Sequence, residues 1–137
     1  MTTRVVLDTN VLVSSFFGGN PRRVIDLWKT GQITLCLSRA IVEEYITVLI
    51  RLGLQDDKEL DDLLSLFSTS PYVRYIHEPA EIYVVASDPD DDKFFACAVA
   101  LQAEYIISGD QAVIDISNFF DIHVLSPAEF LRIHDSE

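Results

Sequence analysis

The stretch Val5-Val6-Leu7 offers no polar face. A strand of this kind must be covered on both sides, the condition met by a parallel sheet held between helices. Residues 4–8 therefore read as a buried first strand. Similar short apolar runs return at 33–37, 105–108 and 122–125, with a less regular extended piece at 72–76 and another at 82–85. Helix punctuation falls between them. Asn10 is placed to cap a short helix through Phe17. Pro21 suits the first turn of a helix that carries Val24, Ile25, Leu27 and Trp28 and ends near Gly31. Ser38 caps a helix running to about Leu52, where Gly53 stops it. Further helices are expected over 60–67, from Asp88-Pro89 to Ala103, over 111–115, and from Pro127 through Phe130 and Leu131. Strands alternating with helices imply a single α/β domain over 1–137. Its expected form is a three-layer α/β/α sandwich with a central parallel sheet.

Size and composition agree. The chain has 137 residues, of which 49% are apolar, enough for a real core. No apolar run is long enough to span a membrane. The strand beginning at residue 4 leaves no room for a signal peptide. Cys36 and Cys97 are too few for a disulfide framework and sit in apolar surroundings, as inert reduced thiols do. The expectation is a soluble cytoplasmic protein.

Charge complicates any nucleic-acid partner. Asp and Glu number 22 against 10 Lys plus Arg, a formal net charge of -12, whereas nucleic-acid binders usually carry a basic footprint. A solvated acidic surface accounts for Asp56, Asp57, Glu59, Asp61 and Asp62, on a polar connector and its helix. It accounts poorly for Asp8 and Asp110, each of which ends an apolar run. In an open α/β sheet the strand ends form the crevice where ligands sit. Carboxylates gathered there repel one another and call for a counter-ion, of which a divalent metal is the simplest.

Two other acids fit the same rim. Glu44 lies inside the apolar stripe Ile41, Tyr45, Val48 and Leu52, while Glu43 faces the polar side with Arg39. An unpaired carboxylate at a half-apolar position is costly, so Glu44 needs a partner. Asp88-Pro89-Asp90-Asp91-Asp92 has an ordinary reading as a cap, a first-turn proline and dipole-favoured acids. Three consecutive Asp is excessive for capping. Asp91 continues the stripe Phe94, Ala98 and Leu101 that faces the sheet and is the preferred inward ligand. Asp92, aligned with Phe95, Ala96 and Val99, is the alternative.

With these blocks assembled, the chain resembles PIN-domain proteins. Leu7-Asp8-Thr9-Asn10-Val11-Leu12-Val13-Ser14 is similar to the family's opening. Ser38-Arg39-Ala40-Ile41-Val42-Glu43-Glu44-Tyr45 carries its helix glutamate as the second acid. The run from Asp88 to Ala98 is similar to the third block. Ala103 to Asp110 is similar to the fourth, with Ser108 where Thr is commoner. Ser126-Pro127-Ala128-Glu129-Phe130-Leu131 resembles the usual chain end. The subgroup it most resembles is the toxin component of toxin–antitoxin systems, the VapC-like proteins. The resemblance implies strand order 3-2-1-4-5 and a metal-dependent endoribonuclease. It assigns catalysis and metal binding to Asp8, Glu44, Asp91 and Asp110, with Asn10 and Ser108 in support. One departure is Gln111-Ala112-Val113-Ile114, where the family often has an acid and leucines; Asp115 follows soon after.

Hard oxygen donors suit Mg²⁺ or Mn²⁺, and His77, His123 and His134 lie in scattered contexts better suited to structure than to zinc. Attack by water would leave a 5′-phosphate and a 3′-hydroxyl. Arg22, Arg23, Arg39 and Lys93 are expected near the active edge as guides for RNA phosphates. A homodimer would pool two shallow basic rims, and aromatic residues such as Trp28, Phe16 and Phe17 are available for one. A cognate antitoxin would present an Arg-bearing segment to the acids. Two other reaction classes use strand-end aspartates. An aspartate-dependent phosphatase wants a second acid where this chain has Asn10. A phosphorylated receiver domain wants a Lys after a late strand, where Ser126-Pro127 stands. A catalytically idle binding module is the remaining alternative.

Overall fold

The centre of the molecule is the strand without a polar face. The computed structural model describes residues 2–84 and 88–136. Within them the strands are β1 (Thr3–Leu7), β2 (Ile33–Ser38), β3 (Val73–Ile76), β4 (Tyr105–Ile107), β5 (Asn118–Phe119) and β6 (Ile122–Leu125). They form one sheet in the order β3-β2-β1-β4-β6-β5. β1 pairs parallel with β2 on one side and β4 on the other, β2 with β3, and β4 with β6. The expected order 3-2-1-4-5 holds, with β6 as the anticipated fifth strand. The addition is β5, antiparallel on the edge. Its hairpin turns through Phe120 (φ 48°) and Asp121 (φ 64°). Such turns usually carry Asn-Gly or Asp-Gly, and no such dipeptide marks this one.

The helices are α1 (Thr9–Ser14), α2 (Gly19–Lys29), α3 (Arg39–Arg51), α4 (Lys58–Thr69), α5 (Asp92–Ala100), α6 (Gln111–Ile114) and α7 (Pro127–Asp135). α5 packs across β1, β2 and β4, and α2 packs on β2 and against α7. Trp28 of α2 and Tyr45 of α3 both meet the Phe67 ring of α4. Connections β1→β2 and β2→β3 step one way along the sheet, and β3→β4 steps back across β1. Right-handed crossovers then put α5 on the face opposite α2 and α4, which gives the three layers. β1 is buried from Val5 to Leu7 and β2 throughout. Phe95, fully buried on α5, contributes about 2–3 kcal/mol by leaving water.

The helix boundaries need some correction. Asp8, not Asn10, caps α1: its carboxylate accepts from the Asn10 backbone N–H at 2.8 Å. The helix expected through Phe17 tightens after Ser14 into a 3₁₀ turn at Ser15–Phe17. Pro89–Asp91 is likewise a 3₁₀ turn, and α5 begins only at Asp92 and ends at Ala100. On α3 the buried stripe is Ile41, Tyr45 and Leu49; Leu52, 53% exposed, lies outside it. Ile82 to Val84 join no strand, and Val85 lies outside the described residues. Trp28 is core rather than interface, while Phe17 is exposed. Cys36 and Cys97 are buried and unpaired, and burial pushes both thiols up, Cys36 to about 11. No helix among the described residues is long and apolar enough to cross a membrane.

Sequence-adjacent steps reverse direction between β1 and β4. The register pairs Leu7 with Ile107 there, so the residues after both strands emerge side by side. In a doubly wound sheet this switch point is where ligands bind.

Candidate active site

Asp8 follows β1 directly, and Ser108-Gly109-Asp110 follow β4. The Asp8 N–H still continues the ladder, donating to the Ile107 carbonyl at 3.0 Å, and the Ser108 N–H donates to Leu125 at 2.9 Å. Strand pairing thus fixes both carboxylate-bearing segments before any side chain contributes. Ser108, fully buried, then ties them together. Its hydroxyl donates to Asp8 Oδ2 at 2.6 Å and accepts from the Asp110 N–H at 3.0 Å. Asp110 also caps α6, its Oδ1 accepting from the Ala112 N–H at 3.0 Å.

Glu44 arrives from α3. One of its carboxylate oxygens accepts from the Thr9 hydroxyl and the other from the Lys93 ammonium. The Tyr45 hydroxyl, one residue on, donates to the Leu7 carbonyl at the end of β1. Two neighbouring residues of α3 therefore hold that helix to the strand end bearing Asp8.

Asp91 and Asp92 part company at the start of α5. Asp92 accepts from the Val84 backbone N–H at 3.2 Å, toward the loop. Asp91 makes no capping hydrogen bond with its side chain. Its carboxyl is pushed up to about 6, first by burial, then by the charges of Asp8, Asp110, Asp88 and Glu44. Burial also raises the Asp8 carboxyl, opposed by the hydrogen bonds from Ser108 and Asn10 and reinforced by the charges of Asp110 and Glu44. Burial is the larger cause in both, and the neighbouring acids add to it.

Asp8 and Asp110 are thus brought together at the switch point through Ser108, Glu44 reaches the same strand end through Thr9, and Asp91 lies within the electrostatic field of all three, while one Asp92 oxygen serves the Val84 N–H. Asn10 is exposed and contributes its backbone N–H rather than a side-chain contact. The four basic residues fare differently. Lys93 reaches the rim. Arg22 is held by the Ser15 and Phe16 carbonyls and by Glu59, at 2.7 Å. Arg23 lies near Asp135 at 3.6 Å, and Arg39 pairs with Glu43 one helical turn on, at 2.7 Å. Arg39 and Lys93 also line a cavity of about 750 Å³ with His77, Ile82 and Tyr83. Asp92 lines that cavity too, and Asp8, Glu44, Asp91 and Asp110 do not. Sequence pattern gives Thr9 no role and Tyr45 only a place in the apolar stripe of α3. Their polar atoms beside an acid and a strand end were the available signal, but only the fold shows what they touch.

A family model for the PIN domain matches residues 4–112, a span that holds all four acids. The chain belongs to the PIN-domain family. No curated protein matches it. PIN domains are generally nucleases that use divalent metal ions. The donor set of this PIN domain suits such an ion: oxygen donors only, with neighbouring like charges that add to the raised pKa of Asp8 and Asp91. As they stand, the acids of the described residues form an open rim and not a closed group of three or more ready to hold an ion.

Proposed function

We propose that this PIN domain is a metal-dependent endoribonuclease and the toxin of a cytoplasmic toxin–antitoxin pair. The observation that carries the reading is the convergence of Asp8 and Asp110, bridged by Ser108, with Asp91 and Glu44 at the switch point. Asp8, Glu44, Asp91 and Asp110 would hold Mg²⁺ or Mn²⁺. Once bound, the ion supplies positive charge to the scissile phosphate and acidifies water.

The residues do the rest by position. Ser108 aims Asp8, Thr9 aims Glu44, and strand pairing keeps Asp8 and Asp110 adjacent without reorganisation. Among the described residues no His or Lys stands free as a general base beside these acids, so the attacking water would have to be acidified by the ion itself. Attack in line breaks the bond to O3′ and leaves a 5′-phosphate and a 3′-hydroxyl. The net charge of -12 and the pairing of Arg22, Arg23 and Arg39 with acids support weak, salt-sensitive binding of short single-stranded RNA. A homodimer would extend the groove. An antitoxin segment bearing Arg would silence the site by placing a guanidinium among the acids.

A second reading, an idle RNA- or protein-binding module, draws on the engagement of both Glu44 oxygens by Thr9 and Lys93. One experiment separates the two. Single-stranded RNA is incubated with the protein in Mg²⁺ or Mn²⁺, with and without Asp8→Asn. Ion-dependent cleavage that disappears in the variant supports the nuclease. Cleavage equal in both, or none in either, removes it.

A further inference from the structure

Lys93 sits where a metal's charge is wanted. Its ammonium contacts one Glu44 oxygen while the Thr9 hydroxyl takes the other. Both side chains are largely shielded, 22% exposed for Lys93 and 28% for Glu44. The stem is held as well, since the ammonium lies 5.6 Å from the centre of the Phe94 ring. Its residue follows Asp91-Asp92 directly at the start of α5, so the helix that delivers an acid to the rim delivers a cation with it. The other three acids of the rim carry no such partner: among the described residues, none of Asp8, Asp91 and Asp110 has a Lys or Arg within 4.0 Å.

We infer that Lys93 is a tethered counter-ion that competes with the divalent ion for Glu44. This rests on the metal-site reading above and adds a regulator to it. A carboxylate among like charges is unstable without a cation. An ammonium on the same chain is present at high effective concentration and cannot diffuse away. It keeps the ion-free rim folded, and it must release Glu44 for that carboxylate to serve as a ligand. Release leaves the ammonium at the edge of the rim, beside the cavity that it lines, available to a substrate phosphate. Lys93 is therefore a positioning residue that sets how tightly the ion is held.

The test is Mn²⁺ binding to the full chain without RNA, by calorimetry and by electron paramagnetic resonance of free Mn²⁺. Lys93→Met removes the charge and keeps the stem, and Lys93→Gln removes the charge and keeps a donor for Glu44. Both should bind Mn²⁺ at least about five-fold more tightly, the low end of typical coupling between two ligands. Both should melt lower without the ion and recover with it. Lys93→Arg should bind as the wild type does. Lys29→Met, an exposed site at the end of α2, corrects for the change in net charge. Unchanged or weaker affinity in the two neutral variants overturns the inference, as does an equal gain in Lys29→Met. Failure of the wild type itself to bind Mn²⁺ is a separate result and removes the metal-site reading with it.

Discussion

The two ends of this sheet are built by opposite rules. At the amino end two strong donors close on backbone carbonyls. The Trp28 indole N–H donates to the Tyr72 carbonyl at 2.9 Å, and the Arg4 guanidinium closes the α5 C-terminus on the Leu101 carbonyl at 2.9 Å. Gly31, at φ +78°, lets the Tyr72 ring lie against the turn into β2. At the carboxyl end, four acids are held within each other's field and two are pushed above their usual pKa. One end pairs its polar groups locally, and the other keeps an unfavourable charge arrangement. Sites that work against stability are where function is concentrated.

That contrast predicts different outcomes at the two ends. Asp8→Asn should cut ion-dependent RNA cleavage by about 100-fold or more with little loss of melting temperature. Asp91→Asn should match it in activity, while Asp92→Asn, whose carboxylate serves the Val84 N–H, should stay within a few-fold of wild type; gel-based cleavage assays rank the three. A loss in Asp92→Asn equal to that in Asp91→Asn would make the pair interchangeable and blur the rim. At the amino end, Gly31→Ala should cost about 2 kcal/mol through its left-handed backbone, roughly 8 °C in a thermal melt. The new Cβ would stand 2.7 Å from the Tyr72 ring. Its Mn²⁺ affinity should be unchanged.

Much of this plan was legible beforehand because two signals were strong. Short apolar runs such as Val5-Val6-Leu7 and Tyr105-Ile106-Ile107 point to a buried parallel sheet. A strand that stops at Asp8 or at Ser108-Gly109-Asp110 announces its own carboxyl end. Side-chain direction was legible only in part. The expected helix over Asp91, Phe94 and Ala98 starts one residue late, since Pro89–Asp91 form a 3₁₀ turn and α5 begins at Asp92, so periodicity alone does not choose between Asp91 and Asp92. The fate of the basic residues was not legible. Whether Arg22 meets phosphate or the Ser15 carbonyl depends on where a loop folds back, and periodicity carries nothing about that. The same holds for Thr9 on Glu44, a contact between residues that are 35 positions apart, and for β5, whose turn lacks the usual dipeptide.

Two smaller effects sharpen the comparison further. Ser108→Ala would remove the donor to Asp8 and the acceptor for the Asp110 N–H, costing about 1–2 kcal/mol of stability, readable by urea denaturation. Cleavage should fall less than in Asp8→Asn, because both acids remain on their strands. The pH dependence has a definite sign. Asp91 holds its proton more tightly in the native chain than in the unfolded one. Its contribution to the stability of the ion-free protein is therefore full below about pH 4 and lost as the pH rises through about 6. Ion binding needs the deprotonated carboxylate and should run the other way, weakening as the pH falls below about 6. Melting curves from pH 4 to 7.5, with and without Mn²⁺, should cross accordingly, and Asp91→Asn should flatten both.

The central claim is that these four acids share one hard cation. Crystals soaked in Mn²⁺ and measured for anomalous scattering test it without reference to RNA or turnover. The account predicts an anomalous peak in contact with carboxylate oxygens of Asp8 and Asp110 and of at least one of Asp91 and Glu44. A peak held by other residues, with these side chains left as they are, would contradict it.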